Sequence, residues 1–599
     1  MNKISSSLKI QRLLKQSSQY CQSGRLEEAK LIYHDLLKSI PSHPEALGNL
    51  GTIELKNGNT ELGVKYLRQS IKLDPNQFNF LSNLGNGLLD LDNPNEAILC
   101  FETALKINPK ASDIFYNKAR ALKSLKKNLE AIESLKLSIQ CNPKNYLSYI
   151  NLGFLLNEQG QFQEALKNYN KAIEVDPNNY HLFYNRAIVY ENIKKYDLAL
   201  KDYNRSIELN KNFEGVFFNK SGLLFKLKKF DESLIAIDQA IKINPHNWSS
   251  FIKKALIYQE LKDYELAFKS YDHILEIDPN NSEAIANKSY LKLSMLDFKS
   301  GWKLYKHRWW DRVKVQLSIP EVDNFILVQK KIFIWAEQGV GDQIIFSSLF
   351  FDAFKTKNEF YISLDPRLIN LFKRSFSWAK NVTFISSQGE IIESDFDFHL
   401  PMGNLGLFFR NSIEDFTSHP TAYLKPNETQ VNNLKGRIKK GNHKICGISW
   451  ISKNKEIGEE KSLSLIQLLP LLTIPNITFI DLQYGDTSIE KKNIFDLFGI
   501  EIKSINEIDN FNDLDGITSL INACDFIVTT SNVTAHIAGA SNKKTYLLLP
   551  HGYGKMWYWG ESSERSLWYP SIEIYRSPDS GLWTEAIESL SNKLRAINE

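Results

Sequence analysis

The sequence predicts an α-solenoid followed by an α/β region of two Rossmann-like lobes, and three observations predict it. Proline recurs with a 34-residue period through the first half of the chain. That period vanishes after Trp309 and Trp310. From there onward short apolar runs alternate with helical stretches in two successive blocks, the pattern of parallel α/β structure. A chain of 599 residues, 43% hydrophobic and 24% charged, is long enough for two or three separate cores.

Pro41, Pro75, Pro109, Pro143, Pro177, Pro245 and Pro279 hold the register, and Lys211 fills the one empty slot. Twelve positions before each slot stands a small residue: Ala29, Gly63, Ala97, Ala131, Ala165, Ala199, Ser233, Ala267 and Gly301. Small residues let two helices approach closely, and proline stops the second helix because it cannot donate an i to i−4 bond. A single hairpin cannot bury its apolar face, so eight or nine of them must stack into a superhelix with a concave surface. These columns resemble tetratricopeptide repeats, covering about residues 10 to 312. The last unit, around Gly301 and Trp302, has Val313 in the proline slot, which ends the array.

A third column places Asn49, Asn83, Asn117, Asn151, Asn185, Asn219 and Asn287 at one repeat position on the first helices, broken only by Lys253. Asparagine there is either a solvated polar residue or part of a ladder of amides that pairs with the backbone of an extended peptide. Such a ladder resembles the repeat superhelix of the O-linked N-acetylglucosamine transferases. The resemblance implies a protein or peptide acceptor in the groove.

Charge and cysteine usage narrow the function classes. The 73 Lys+Arg and 69 Asp+Glu leave a net charge of only +4, which gives no electrostatic basis for a nucleic-acid partner. Cys21, Cys100, Cys141, Cys446 and Cys524 lie far apart with no zinc spacing, and read as reduced packing residues. The N-terminal segment lacks the apolar stretch of a signal peptide, and no later segment reaches the roughly 18 apolar residues of a membrane span. The expected location is cytoplasmic.

The α/β half opens with KIFIW (331 to 335), a buried strand, followed by the turn Ala336-Glu337-Gln338-Gly339-Val340-Gly341-Asp342 and a helix. A dinucleotide fingerprint needs a third glycine where Ile344 stands, although Asp365 lies at the distance of a ribose-binding acid. An oxidoreductase is disfavoured. P-loop and nucleophile-elbow motifs are missing, so those chemistries have no support. A second block runs through KICGISW (444 to 450), ITFIDLQ (477 to 483) and DFIVTT (525 to 530). Two such lobes in tandem imply a cleft between them.

The stretches WAEQGVGDQIIF, LDPRLINLFKRSF, HLPMGNL, IDLQYGD, TSNVTAHIAGA and the late LLLP with WYP resemble the heptosyltransferase-type (glycosyltransferase family 9 type) GT-B glycosyltransferases. In particular they resemble bacterial proteins that carry tetratricopeptide repeats ahead of such a domain. The layout expected from this is a repeat superhelix over 1–312 and a linker over 313–328. An acceptor-side lobe follows over 329–440, and a nucleotide-sugar lobe with a C-terminal helix over 441–599. The activity implied is inverting, metal-independent glycosyl transfer from a nucleotide sugar, with no other cofactor and with the repeats recruiting an acceptor such as protein Ser/Thr hydroxyls.

Inverting transfer needs a base for the acceptor proton and groups that neutralise the departing nucleoside diphosphate. By resemblance Asp342 is the general base; its alternative is an N-cap. Gly339 and Gly341 supply turn geometry and close approach, with Gln338, Glu337, Gly403 and Asn404 as further acceptor-side or cleft residues. Ser531, Asn532, Thr534 and His536 open a helix after an apolar strand, where N–H groups and hydroxyls suit a pyrophosphate. Many relatives carry Asp-Thr where this chain has Ser531-Asn532. By resemblance Lys461 approaches the donor diphosphate as a cation, helped by Ser452, with Lys453 as fallback; Gln483 reaches toward the nucleotide. Asp395-Phe396-Asp397 spells a D-x-D string but reads as strand alternation, and no metal is expected. Trp557, Tyr558, Trp559, Trp568 and Tyr569 read as packing of the last segment in preference to sugar stacking.

Two other readings remain open at this point: a repeat scaffold whose transferase lobes keep the fold without catalysis, and a transferase acting on a cell-surface glycan or lipid precursor.

Overall fold

The structure is a computed structural model that describes residues 2–308, 317–325, 328–336, 339–417, 420–439, 441–453, 458–550, 556–577 and 583–598. It divides into two compact units, Met1–Ser250 and Phe251–Glu599. The division falls inside the repeat array, whose helices run on to Tyr305.

The first unit is built wholly of helical hairpins. After the pair Asn2–Gln22 and Leu26–Ser39, first helices of 13 residues start at Pro44, Phe78, Ser112, Tyr146, Tyr180 and Glu214. Second helices of 14 residues start at Thr60, Pro94, Asn128, Phe162, Tyr196 and Phe230. The small-residue column marks the closest approach within a hairpin: a Cβ added to Gly51 would lie 2.8 Å from the carbonyl oxygen of Gly63. Ala97, Ala131, Ala165 and Ala199 are fully buried at the same step. Second helices end on a residue in extended geometry, which the following proline enforces at most steps, as at Asp74 with φ −140°; Asn210, before Lys211, adopts it at φ −146° without one. The Asp or Asn there also accepts from the backbone N–H two residues on, as Asp74 does from Asn76 and Asn142 from Lys144, both at 3.1 Å.

The second unit holds the last repeats, with helices Tyr264–Ile277, Ser282–Ser294 and Phe298–Tyr305, and two parallel sheets. In the first, β1 (Lys331–Trp335), β2 (Glu359–Leu364), β3 (Val382–Ser386) and β4 (Phe398–Pro401) lie in the order β3-β2-β1-β4. In the second, β5 (Lys444–Ser449), β6 (Ile477–Asp481), β7 (Ile502–Lys503), β8 (Phe526–Thr530), β9 (Thr545–Leu549) and β10 (Ile572–Arg576) lie in the order β10-β9-β8-β5-β6-β7. Both sheets are α/β structures whose chain direction switches beside the first strand, between β1 and β4 and between β5 and β8. Ligands of open α/β sheets bind outside the carboxyl ends of the strands at such a switch.

The segment expected as linker does more than connect. Residues 313–316 and 326–327 lie outside those described, but Val322 is fully buried and its N–H donates to the His399 carbonyl at 3.0 Å. The Phe325 ring packs edge-on against Phe408 and Phe409. This stretch therefore lines the edge of β4 as part of the first lobe. The last repeat helix is also part of the α/β core: Trp302 is buried, donates its indole N–H to the Arg410 carbonyl at 2.7 Å, and meets Trp557 edge-on with centroids 5.5 Å apart. Gly406 makes room for it, since a Cβ there would stand 2.5 Å from the indole ring. Trp557, Tyr558, Trp559, Trp568 and Tyr569 are buried in that same core. The C-terminal helix Thr584–Asn598 buries Ala586, Ile587, Leu590 and Leu594 against the second sheet. No helix of the described residues is long and apolar enough to cross a membrane.

Candidate functional site

The candidate site lies where the two switch points of the second unit meet. From the β1 side, Gly339 N-caps the helix Val340–Ser347 with extended backbone (φ −62°, ψ 172°), and the Asp342 N–H bonds back to the Gly339 carbonyl at 3.1 Å. Asp342 is half-buried in this first turn. From the β8 side, Ser531 and Asn532 lead into the helix Val533–Ala540. The two helices touch at Gly341, where an added Cβ would lie 2.8 Å from His536 Cδ2 and 3.1 Å from its Nε2. A glycine is thus required at 341 by close approach between the lobes.

Lys461 completes the constellation. Its side chain is 4% exposed, and among the described residues it makes no hydrogen bond or ion pair. Burial pushes its ammonium below the ordinary lysine value, while the carboxylates of Asp342 and Glu460 pull the other way. A lysine held mostly out of water beside carboxylates, with its pKa perturbed, is of the kind that receives an anion. The same neighbourhood pushes Tyr558 well above the ordinary tyrosine range, first by burial and then by the Asp342 charge. Asp342, Lys461, His536, Ser531 and Tyr558 are therefore brought to one place.

Several predicted donor ligands are engaged with the protein itself. His536 is fully enclosed, its Nδ1 3.0 Å from the Tyr569 hydroxyl and its Nε2 3.2 Å from that of Tyr558. Burial, with the Lys461 charge, lowers its pKa to about 3. It is a neutral, packed histidine with both nitrogens used, which corrects its reading as a direct phosphate or ribose contact. Gln483 is likewise saturated. Its oxygen accepts from Ser449 Oγ and from the N–H groups of Trp450 and Ile451 at 3.1, 3.0 and 2.8 Å, and its amide nitrogen donates to the Ile451 and Tyr484 carbonyls at 3.2 Å. Its work is to shape the loop after β5, not to reach a nucleotide.

Asn532 caps its helix through Oδ1, which accepts from the Thr534 N–H at 3.0 Å and from the Thr529 hydroxyl at 3.1 Å; its Nδ2 donates to Ser449 Oγ at 2.8 Å. Asn532 therefore ties the end of β8 to β5. Ser531 accepts from the Trp559 indole at 2.9 Å. Thr534 is buried in the first turn, and Ser452 sits in the loop after β5, its N–H on Ser462 Oγ at 2.9 Å. Beside them the Thr530 hydroxyl, at the carboxyl end of β8, is buried with no partner. The Lys453 ammonium lies over the Tyr484 ring, 5.7 Å from its centroid.

On the first lobe, Asn404 accepts from Arg308 at 2.8 Å and donates to Glu321 at 2.9 Å, so its amide joins the repeat end to the lobe and is not a cleft donor. Gly403 is buried in the same turn. Gln338 and Glu337 lie outside the described residues. Asp365 is held below the ordinary carboxylate range by a bidentate pair with Arg367, at 2.9 and 2.7 Å. Asp397 of the D-x-D string accepts from the Lys331 N–H at 2.8 Å, where β1 begins.

All seven column asparagines stand half-buried on first helices. Among the described residues four of these amides bond within the array: Asn83 donates to Thr52 Oγ1 at 3.0 Å, Asn219 to the Tyr184 hydroxyl at 2.9 Å and Asn151 to the Leu147 carbonyl at 2.9 Å, while Asn117 accepts from Arg120 at 3.5 Å. Part of the ladder thus serves to join successive repeats.

Sequence reasoning missed Tyr423, Tyr558 and Tyr569 as polar residues. Their signal is physical: a buried tyrosine hydroxyl has to find a partner, and Tyr558 and Tyr569 find it in the His536 imidazole.

The comparisons bear on the array. Tetratricopeptide repeat families match residues 44–77, 78–111, 112–145, 135–167, 153–194, 182–213, 215–247 and 249–281. Protein FlbA of Caulobacter vibrioides is 26% identical over 281 residues, covering 44% of this chain and 46% of FlbA, so the match spans less than half of that relative. Among solved structures, pilF of Pseudomonas aeruginosa is 22% identical, covering 35% of this chain and 94% of its own, with a TM-score of 0.31. A tetratricopeptide repeat protein of Parabacteroides merdae is 16% identical, covering 41% and 98%, with a TM-score of 0.34. The hairpin register, the small-residue column and the matches to the repeat families together make residues 44 to 281 an array of tetratricopeptide repeats.

Proposed function

We propose that the second unit is a GT-B glycosyltransferase, using a nucleotide-sugar donor without an obligatory metal, to which the repeats bring a protein or peptide acceptor. The observation that carries this reading is Lys461: a largely buried lysine in the electrostatic field of Asp342, at the carboxyl ends of two parallel sheets. There it would offset the charge of a departing diphosphate, while the half-buried Asp342 carboxylate takes the acceptor proton. The buried, unpartnered Thr530 hydroxyl and the N-terminus of the helix Val533–Ala540 add donors beside it.

The test is calorimetry of the full chain with a panel of nucleoside diphosphates, nucleotide sugars and inorganic pyrophosphate, first without metal and then with magnesium. One nucleotide class is expected to bind without metal, and Lys461→Ala to weaken it by about tenfold or more, the worth of a charge-assisted hydrogen bond. Asp342→Asn is expected to leave that affinity and abolish turnover. Binding unchanged by Lys461→Ala would remove the diphosphate assignment.

A second reading, a repeat scaffold with non-catalytic lobes, is favoured by the close packing of Gly341 on His536 and by the saturated amides of Gln483 and Asn532. It predicts that no member of the panel binds.

A further inference from the structure

Ser449, the last residue of β5, stands between two side-chain amides whose orientations are fixed by backbone groups. The Asn532 oxygen accepts from the Thr534 N–H at 3.0 Å, so it is the Asn532 NH2 that faces Ser449 Oγ, 2.8 Å away. The same NH2 reaches the Ile451 carbonyl at 3.4 Å. On the other side the Gln483 oxygen faces the N–H groups of Trp450 and Ile451, and its NH2 faces the carbonyls of Ile451 and Tyr484. A backbone N–H only donates and a carbonyl only accepts, so neither amide can be turned over. The Ser449 hydroxyl therefore accepts from Asn532 and donates its one hydrogen to the Gln483 oxygen at 3.1 Å.

Beyond Gln483 the bonds pass into the loop after β5. Ile451 is held at both its N–H and its carbonyl. Ser452 gives its N–H to Ser462 Oγ at 2.9 Å, and the Trp450 carbonyl accepts from the Leu463 N–H at 2.8 Å. Lys461, 4% exposed, immediately precedes this tied pair. At the other end Asn532 caps the helix Val533–Ala540. One continuous set of bonds thus joins the first turn of that helix to the backbone that carries Lys461.

We infer that Asn532, Ser449 and Gln483 form a one-way polar clamp that positions Lys461, holding it and the N-terminus of the helix Val533–Ala540 in one fixed arrangement. The three are positioning groups that act through the backbone on either side of Lys461, and none has to touch a ligand. Each link needs a donor on one side and an acceptor on the other, so the clamp depends on chemical identity more than on size. Asn532→Asp keeps the shape but sets two acceptors against the single Ser449 hydrogen, and Ser449→Ala removes the link. The loop keeps a separate anchor in both variants: the Trp450 indole donates to Glu490 at 2.9 Å, and the other Glu490 oxygen accepts from the Leu465 N–H at 2.8 Å. The importance of the clamp for transfer rests on the transferase reading, whereas the placement of Lys461 does not.

The experiment is acetylation of the full chain with limiting acetic anhydride, each lysine being followed by mass spectrometry of its peptide. Exposed Lys228 is the reference for free reaction. Lys543, whose ammonium donates to the Asn522 and Cys524 carbonyls at 3.0 and 2.6 Å in the same lobe, reports whether that lobe stays folded. Lys461 is expected to react far more slowly than Lys228 in the wild-type protein. Ser449→Ala and Asn532→Asp should each speed it by about tenfold, the worth of one hydrogen bond in a local opening, with Lys543 unchanged. Protection of Lys461 kept in either variant, or lost only together with that of Lys543, would overturn the inference. Calorimetry with inorganic pyrophosphate adds a second arm. Ser449→Ala should weaken binding, and Lys461→Ala should then cost less than it does in the wild-type protein, because the ammonium is already displaced. Full additivity of the two changes would break the link to Lys461. Failure of pyrophosphate to bind the wild-type protein would count against the transferase reading alone, since acetylation is read without ligand.

Discussion

The two units solve the burial of polar groups in opposite ways. In Met1–Ser250 the buried hydroxyls repeat one short-range contact: Ser70 donates to the Pro44 carbonyl, Ser138 to that of Ser112 and Ser206 to that of Tyr180, each across 26 residues. In Phe251–Glu599 the equivalent ties span 79 residues from Tyr423 to Ile344, 83 from Asn532 to Ser449, and 108 from Trp302 to Arg410. An array of local contacts loses stability piecemeal, as a sum of neighbour terms, whereas a core closed by distant contacts gains or loses it as a whole. The last repeats belong to the second regime although their sequence reads like the first.

Trp302 separates these regimes with the largest effect. It occupies the position after the small residue Gly301 of a repeat, yet it is among the largest fully buried side chains and lies in the α/β core. Trp302→Ala should cost about 3–5 kcal/mol, and the loss should fall on the second unit. Hydrogen exchange is expected to rise in β1, β4 and the helix Leu405–Phe409 while the helices before Ser250 keep their protection. Equal loosening of the early repeats would show that the array and the lobes unfold together.

Acid should discriminate next. The folded-state pKa of His536, about 3, lies below the ordinary value of about 6.5. Between these limits the unfolded chain binds a proton that the folded chain refuses. The stability contribution is therefore fully present above about pH 6.5 and is lost as pH falls toward 3, amounting to about 2 kcal/mol at pH 5. His181 in the first unit is shifted in the same direction by burial, without an assigned value. Urea melts at pH 7 and 5 should lower the second unit's midpoint, and His536→Gln should flatten that dependence; an unchanged slope in the variant would assign it to other groups.

The array was legible because its signal is redundant. Proline, the small residue and asparagine each return every 34 residues, so helix starts from Pro44 to Ser282 follow from one register. The lobes were legible as strands, since KIFIW, KICGIS and FIVTT are the buried centres of their sheets. What a side chain does at the site was much less so. Gln483, Asn404 and His536 carry the right chemistry for ligands, but their hydrogen bonds go to groups 32 to 96 residues distant or to hydroxyls of an aromatic cluster. One sequence does not say whether a polar group in a cleft faces the ligand or the loop that holds it. Lys461 is the converse case: the charged loop around it reads as solvated, and the fold buries it.

The smallest effect tests the turns that make the array regular. Within each hairpin one residue adopts the left-handed conformation: glycine at Gly24, Gly58 and Gly160, but Asp92, Lys126, Lys194, Lys228 and Lys262 elsewhere in the series, and Leu296 in the last repeat, all at φ between 56° and 83°. A side chain there is strained, and glycine relieves the strain at some cost in unfolded-state entropy. Lys228 is exposed, so Lys228→Gly should stabilise by about 0.5–1 kcal/mol, a rise of about 1–4 °C in the melting of a unit this size. Gly58→Lys should cost a similar amount. Leu296 has the same backbone but packs on the α/β core, so Leu296→Gly removes apolar burial worth about 1.5–3 kcal/mol when complete and should destabilise. Opposite signs for one substitution at equivalent repeat positions would follow from the two regimes; the same sign at both would mean that backbone strain alone governs the turn.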